Sequence, residues 1–211
     1  MSMTRRTIGW LAAMMLSFAA LGAHAQTKAP EALIKEVSTD VLDAVKADKT
    51  IQAGDLRKVI ALVDQKVLPY VNFQRMTASA VGRYWKQATP DQQKRLQDEF
   101  KLLLVRTYSG ALSQVSSEQT VELRPMRSTP ADNEVVVRTE IKGKGDPIQL
   151  DYRLEKAGDS WKIYDVNVLG VWLVENYRNS FAQEIGANGI DGLIAKMAER
   201  NKSAAAAGAK S

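Results

Sequence analysis

The sequence predicts an α+β domain in which amphipathic helices pack on one face of a curved, four-stranded antiparallel sheet. Three observations support this fold class. Apolar residues recur at helical spacing through most of residues 26–115, strand-like segments with turn residues between them occupy residues 120–168, and helical spacing returns after Gly170. A run of strands between two groups of helices is typical of α+β domains.

Six stretches predict the helices. The clearest start signal is Thr89-Pro90-Asp91-Gln92, in which threonine caps the helix, proline takes the first turn and glutamine completes a capping box. Gly54-Asp55 is a second start signal, because aspartate is a favoured N-cap residue. The predicted helices cover residues 26–49, 55–68, 72–85, 90–115 and 170–185, and the last one begins after Asn188-Gly189.

Four strands joined by short turns predict an antiparallel meander. The strands cover residues 120–127, 134–142, 147–155 and 161–168. The third strand alternates cleanly, with Leu150 and Tyr152 on one face and Asp151 on the other. A slip of one residue would reverse both faces, so this register is strongly specified.

The stretch from Trp161 to Phe181 joins the last strand to a helix, and the predicted fold is organised around it. Its first half carries apolar residues on both sides of a strand, and its second half places Leu173, Tyr177 and Phe181 four residues apart. A strand that is apolar on both faces must be covered on both faces, either by helices or by a ligand.

The N-terminus predicts a secretory signal peptide over residues 1–25. Two arginines precede an apolar run over residues 8–21, which ends in the small-residue cleavage pattern Ala-His-Ala. The run is too short to span a bilayer comfortably, so we expect it to be cleaved. The paired arginines resemble a twin-arginine signal only weakly, so we expect Sec-dependent export. The folded domain is then expected over residues 26–200, with a disordered tail over residues 201–211.

The composition of the cleaved chain excludes most hydrolase and metal chemistry. The chain has no cysteine, and its one histidine, His24, lies within the predicted signal peptide. A Ser-His-Asp triad, a Cys-His pair, a histidine-ligated metal and a zinc–thiolate site are thereby excluded. Two of the 29 basic residues leave with the signal peptide, so 27 basic and 24 acidic residues remain and the net charge is +3. This slight excess does not indicate nucleic-acid binding.

Three blocks of the sequence resemble one known family. The first block is WKIYDV, followed by GV-x-LV and NYR-x-x-F; the second runs from VNFQRM through GRYWKQATPDQQ to FKLLLVRTY; the third is NGIDGLIAKMAER. Together they resemble the MlaC-type periplasmic phospholipid-binding proteins, also called the toluene-tolerance family. The resemblance implies an NTF2-like cone with a small helical annex that encloses an apolar pocket for a diacyl glycerophospholipid.

The same resemblance implies a function. It is that of a soluble, monomeric periplasmic carrier without cofactor or catalytic activity. Such a carrier shuttles phospholipid between an outer-membrane lipoprotein complex and an inner-membrane ABC transporter with its lipid-binding subunit, in the system that maintains outer-membrane lipid asymmetry.

We predict that the pocket is lined by the broad aliphatic faces of the third strand and the long helix, together with aromatic residues from neighbouring elements. The predicted lipid-binding residues are Phe73, Met76, Phe100, Leu103, Leu104, Tyr108, Leu112, Val137, Ile148, Leu150, Tyr152, Tyr164, Val166, Val168, Leu173 and Tyr177.

The residues alone leave other interpretations open. The apolar faces could close on one another as an ordinary core, with the tyrosines packed inside. An enzyme could use Asp151 or Asp165 as a buried base with a tyrosine donor, and a strongly raised carboxylate pKa in an open apolar pocket would favour that hypothesis. A protein adaptor that binds no lipid is a third possibility. Asp165 and Arg178 are expected to form a structural ion pair. The basic residues Arg75, Arg83, Lys86 and Arg106 could present positive charge to phosphate, but we expect them to form solvated helix faces.

Overall fold

The computed structural model describes residues 28–126 and 132–208, and side chains as far as residue 203. The predicted signal peptide and the last three residues of the predicted tail lie outside these ranges. The helices are α1 (Pro30–Ala47), α2 (Lys49–Gln52), α3 (Leu56–Leu62), α4 (Phe73–Val81), α5 (Pro90–Ser109) and α6 (Leu173–Gly208). The strands are β1 (Thr120–Leu123), β2 (Glu134–Lys142), β3 (Ile148–Ala157), β4 (Ser160–Val168) and β5 (Val171–Trp172).

Short turns of tighter or wider helix connect these elements. A π-helical turn (Val63–Val67) and a 3-10 turn (Leu68–Tyr70) lead from α3 to α4, and 3-10 turns follow α4 (Gly82–Gln87) and α5 (Gly110–Gln114). The predicted helix over residues 72–85 is therefore shorter than expected. Gly82 has φ of 66° and breaks the α-helix there, in a conformation that glycine adopts without a steric penalty.

The capping signals of the sequence are present in the structure. The Thr89 hydroxyl accepts a hydrogen bond from the backbone N–H of Gln92 at 3.2 Å, and the Gln92 side chain accepts one from the backbone N–H of Thr89 at 3.0 Å. Asp55 caps α3 through the N–H groups of Arg57 and Lys58. These bonds satisfy backbone donors that have no partner within the helix, so both predicted starts are confirmed.

Helix α6 is two helices joined at Gly189, which has φ of 71° and ψ of −178°. The sequence predicted this break. The chain stays helical through Gly208, and Asn201 is buried. The Asn201 amide donates to the backbone carbonyl of Glu99 at 3.0 Å and to its carboxylate at 2.7 Å. The helical backbone through residue 208 differs from the disorder expected over residues 201–211, because α5 anchors the start of this segment and alanine favours helix. The bounds of the domain stay a prediction.

The strands form one antiparallel sheet in the order β1-β2-β3-β4-β5. The prediction of four strands is wrong by one, because the chain pairs again for two residues after Gly170. A strand of two residues carries no period of its own in the sequence, so pattern alone could not reveal it. The NTF2-like class stays a prediction.

A bulge in β4 explains why that strand looked apolar on both faces. Arg153 pairs with Asp165, whereas Leu154 pairs with Ile163, so Tyr164 is left as an extra residue. An extra residue reverses the alternation on one side of a bulge. The apolar residues of β4 on both sides of the bulge therefore share one face of the sheet, which we call the inner face. They are Trp161, Ile163, Val166 and Val168.

Only one half of the inner face is packed. Near the β3–β4 turn, α1 covers it and forms a core with buried residues of the sheet, namely Leu33, Ile34, Val37, Val135, Val137, Leu154, Trp161 and Ile163. At the opposite end of the same face the aliphatic side chains are only half-buried, namely Ile141, Ile148, Leu150 and Val168. A second core joins α4, α5 and α6, and a third joins α1, α3 and α5. The unpacked half of the inner face is thus surrounded by packed cores.

Candidate functional site

The unpacked half of the inner face is one wall of a cavity of about 430 Å³. This volume lies within the range of about 300–1,000 Å³ that is common for ligand pockets. The opposite walls come from α1, from the π-helical and 3-10 turns before α4, and from the C-terminal half of α5 with the turn after it. The sheet contributes Ile141, Ile148, Leu150, Tyr152, Ile163, Val166 and Val168. The helices and the segments that connect them contribute Val37, Val41, Leu42, Val45, Val63, Val67, Leu68, Val71, Phe73, Met76, Leu104, Val105, Tyr108, Leu112, Val115 and Leu173.

The cavity opens at one end of the sheet. Among its lining residues, Ala111 and Gln114 are exposed to solvent, and both lie in the turn that follows α5. The β2–β3 and β4–β5 turns lie at this same end, because consecutive turns of an antiparallel meander alternate between its two ends. The segment after α5 lies at this end as well, because it leads into β1, whose first residue Thr120 pairs with Lys142 at the end of β2. The unpacked half of the inner face therefore faces an opening framed by these turns and by the segment after α5.

Few polar groups line this cavity, and those present are largely satisfied. The Ser38 and Tyr152 hydroxyls lie 3.3 Å apart, and the Lys101 ammonium forms an ion pair with Asp64 at 2.9 Å. Burial raises the pKa of Tyr108 and of Tyr152, so both phenols stay neutral. No carboxylate is among the lining residues in the described ranges. Such a surface can bury apolar groups, and its described residues present no carboxylate that could act as the buried base.

The two carboxylates considered as catalytic bases lie on the outer face of the sheet. Asp165 is 1% exposed and accepts hydrogen bonds from the backbone N–H groups of Val166 and Val174 and from Arg153, at 2.9, 3.1 and 3.0 Å. Burial raises the pKa of Asp165. Its oxygens are nevertheless occupied in tying β4 to the start of α6 and to Arg153. The enzyme hypothesis therefore lacks the buried carboxylate in an open pocket that would favour it.

Two expectations about charged residues are corrected by the geometry. Asp165 pairs with Arg153, whereas the Nε of Arg178 donates to the backbone carbonyl of Ser79 at 3.1 Å. Arg75 was expected on a solvated face. Instead, its guanidinium bonds to Glu155 and Glu134. Glu134 and Glu155 are 59 and 80 residues from Arg75, and Arg153 is 12 residues from Asp165 on the neighbouring strand. Helical spacing could therefore not reveal these pairs.

Eleven of the sixteen predicted lipid-binding residues line the cavity. They are Phe73, Met76, Leu104, Tyr108, Leu112, Ile148, Leu150, Tyr152, Val166, Val168 and Leu173. The parity of β3 selected the sheet residues correctly as neighbours, because residues two apart in a strand share a face. Whether these side chains contact lipid stays a prediction.

The other five predicted residues lie elsewhere. Phe100, Leu103 and Tyr177 are buried in the core between α4, α5 and α6, where the ring of Phe100 lies 5.1 Å from that of Tyr177. Val137 belongs to the packed half of the inner face. Tyr164 is the bulge residue, and its hydroxyl donates to Glu134 at 2.9 Å. An apolar residue at helical spacing has the same pattern whether it faces a cavity or a core, so the sequence could not separate these cases.

The sequence prediction missed the contribution of α1. Its residues Val37, Val41 and Val45 line the cavity together with residues of the turns before α4. The apolar stripe of α1 is visible in the sequence, but helical spacing does not distinguish a face that packs on a core from one that lines a cavity. Because α1 continues beyond the part of the sheet that it covers, its C-terminal half faces the cavity instead.

Two further properties concern the residues that the structure describes. None of their helices is both long enough and apolar enough to cross a membrane. These residues also contain no cluster of three or more acidic or histidine side chains that could hold a metal ion.

Comparisons with known proteins agree with this geometry. A solved structure from Ralstonia solanacearum, described as a phospholipid-binding protein in complex with a phospholipid, is similar with a TM-score of 0.79 and 46% sequence identity, over 83% of this chain and 98% of that one. The toluene tolerance protein Ttg2D of Pseudomonas putida is 25% identical over 201 residues, which are 92% of each chain. The intermembrane phospholipid transport system binding protein MlaC of Haemophilus influenzae is 26% identical over 172 residues, which are 80% of each chain.

The family match covers most of the chain. Residues 35–199 match the family model described as MlaC protein. This range contains the inner face of the sheet, most of α1 and all of α5, and thus nearly the whole lining of the cavity. The chain belongs to the MlaC protein family.

Proposed function

We propose that this protein is a periplasmic carrier that binds a diacyl glycerophospholipid and moves it between the outer and inner membranes. The observation that carries the proposal is the unpacked, aliphatic half of the inner face, which leaves a cavity of about 430 Å³ beside three packed cores. The related structure from Ralstonia solanacearum, which contains a phospholipid, supports the same use of the fold.

The chemistry of the cavity suits acyl chains. Each CH₂ group moved out of water is stabilised by about 0.8 kcal/mol, so a lipid with two tails crosses an aqueous gap slowly unless its tails are covered. An apolar cavity with an open end covers the tails and leaves the headgroup at the opening. Because few polar side chains line the cavity, the protein makes few specific contacts with the headgroup. We therefore expect mixed headgroups among the bound lipids.

The partners belong to the same proposal. We infer that the carrier exchanges lipid with an outer-membrane lipoprotein complex and with an inner-membrane ABC transporter that has a lipid-binding subunit. It would do so as a monomer, after export directed by residues 1–25. The names of the relatives from Haemophilus influenzae and Pseudomonas putida, which refer to phospholipid transport and toluene tolerance, support this role.

The test is to extract lipid from purified protein and to measure phosphorus per protein chain. Wild-type protein should yield stoichiometric phospholipid. Leu150→Arg places a charge among the acyl chains, where no partner is available, and should reduce the bound phosphorus about tenfold. Protein that carries no phospholipid and takes none from donor vesicles would contradict the proposal.

The matched control is Gln149→Arg on the same strand. The Gln149 side chain lies on the outer face and donates to the Asp151 carboxylate at 3.0 Å, so an arginine there keeps a donor beside that carboxylate. We expect this variant to keep its lipid. It is a better control than a change at Asp151 itself, which is 6% exposed. Circular dichroism confirms that both variants fold, and full lipid in a folded Leu150→Arg protein would show that Leu150 does not contact the tails.

A further inference from the structure

The β4–β5 turn at the open end of the cavity combines two unfavourable features. Leu169 is 66% exposed and Val171 is 48% exposed, and among the described residues Leu123 is the other large apolar side chain that is exposed. Leu169 also has φ of 51°, and it is the one residue other than glycine in the described ranges with a positive φ. A leucine in this conformation is strained by about 1–2 kcal/mol. Because the side chain is exposed, burial of apolar surface does not offset this strain.

Turn geometry does not require a leucine at this position. Val168 pairs with Val171, so Leu169 and Gly170 form a two-residue hairpin loop, and both have positive φ. Loops of this kind favour asparagine, aspartate or glycine at the position of Leu169. A residue that opposes the local preference and gains no burial points to a role outside the folding of the chain.

Hydrogen bonds hold the turn rigidly. The backbone N–H of Leu169 donates to the carbonyl of Gln149 at 3.1 Å, and that of Gly170 donates to the side-chain oxygen of Asn167 at 2.8 Å. Asn167 is itself 4% exposed. These hydrogen bonds fix the backbone conformation at Leu169, and in this conformation its side chain is exposed to solvent.

The turn is continuous with the cavity wall. Val168 lines the cavity directly before Leu169, and Leu173 lines it shortly after Val171. Gln149, which holds Leu169, lies between the lining residues Ile148 and Leu150. The exposed apolar side chains are thus at the end of the sheet where a tail would enter or leave.

We propose that the β4–β5 turn is a membrane contact, in which Leu169 and Val171 enter the outer part of a lipid bilayer while the cavity exchanges lipid with it. The proposal rests on the carrier function proposed above. A bilayer suits this surface better than a protein, because two side chains fall far short of the roughly 800 Å² per partner of a stable protein interface. Insertion of apolar groups into lipid requires no complementary shape.

The decisive variant is Leu169→Asn. Relief of backbone strain should raise the stability of the fold, whereas loss of the membrane contact should slow lipid uptake. Asparagine suits the left-handed conformation, so the thermal unfolding midpoint should rise by about 2–4 °C. The loss of the apolar side chain should reduce the rate of lipid uptake from vesicles about tenfold. The vesicles contain phosphatidylethanolamine, phosphatidylglycerol and a pyrene-labelled phosphatidylethanolamine, and flotation of delipidated protein with them reports binding separately from uptake.

Two controls separate the membrane contact from the cavity. Leu123→Asn removes the exposed leucine of the edge strand β1 and should leave flotation and vesicle uptake unchanged. Loading from detergent micelles, which present lipid without a bilayer, should be unchanged in Leu169→Asn. If no form of the protein holds lipid after micelle loading, the carrier function fails, whereas flotation still tests the contact.

The following results would overturn the membrane contact. Leu169→Asn protein could float with vesicles and take up lipid at the wild-type rate. It could lose micelle loading as well, which would place its effect in the cavity. Wild-type protein could ignore vesicles yet load from a membrane protein complex, and the turn would then be a protein contact. A lower unfolding midpoint for Leu169→Asn would show that the leucine stabilises the fold, and the proposal would lose its main support.

Discussion

At the scale of single residues, Arg75 shows where long-range contacts decide a role that the sequence pattern cannot. The guanidinium lies 3.7 Å from the centre of the Tyr164 ring, and it bonds to Glu134 of β2 and Glu155 of β3. One side chain of α4 thereby touches three strands. Helical spacing predicted a solvated face, since the two carboxylates are 59 and 80 residues away in the chain. Charge-assisted hydrogen bonds of this kind anchor a helix on a sheet.

The first prediction concerns the pH dependence of this anchor. Hydrogen bonds from Arg75 and Tyr164 lower the pKa of Glu134. A carboxylate whose pKa is lower in the folded state adds stability above its unfolded pKa of about 4.3, and this stability is lost as the pH falls through the folded value. At pH 7 we expect Glu134→Gln to lower the free energy of unfolding by about 0.5–1 kcal/mol, a modest value because Glu134 is half exposed.

Urea unfolding at neutral and acidic pH measures this difference between wild type and Glu134→Gln. The difference should shrink below about pH 4 and vanish below the lowered pKa. Glu122→Gln is the control, since Glu122 forms an exposed ion pair with Lys142 on the neighbouring strand and should matter little. A Glu134→Gln effect of equal size at every pH would show that packing, and not charge, explains it.

At the scale of elements, the sequence predicted those with strong local signals and missed those set by pairing. The Thr89 capping box and the break at Gly189 were visible because particular residues favour particular backbone conformations. The bulge at Tyr164 and the two-residue strand β5 were not visible. A bulge depends on which residue of the neighbouring strand is opposite, and this information is not local.

The second prediction compares Gly189, at the break in α6, with Gly186, in the helix that precedes the break. Gly189 has φ of 71° and ψ of −178°, a conformation that is essentially restricted to glycine. Gly189→Ala should therefore lower the free energy of unfolding by about 1–3 kcal/mol. Gly186 is helical, and a Cβ there would meet no atom within 4 Å, so Gly186→Ala should raise it by about 0.4–1 kcal/mol. Urea unfolding of both variants measures the contrast, and equal effects would mean that the break at Gly189 is not required.

At the scale of the whole molecule, the distribution of packing determines the cavity. The sequence predicted an apolar pocket between a sheet and helices, and it predicted which strand residues share a face. It could not show that α1 covers only half of that face. The spacing of apolar residues predicts which side of an element is buried, but not where one element lies along another. Val137 and Val168 illustrate the difficulty. Both are valines of the inner face, but Val137 is 1% exposed in a core and Val168 lines the cavity.

The last prediction uses Val137 and Val168 to test whether the unfilled cavity lowers the stability of the lipid-free protein. Val168→Phe fills space that is unpacked, so it should keep or raise the free energy of unfolding of lipid-free protein, by up to about 1 kcal/mol. The same ring should reduce bound phospholipid. Val137→Phe forces a ring into a packed core and should cost about 1–3 kcal/mol. Urea unfolding of delipidated protein and phosphorus per chain measure the two effects separately. A Val168→Phe protein that is destabilised as much as Val137→Phe would show that this half of the sheet is already packed, and one that retains full lipid would show that the tails lie elsewhere.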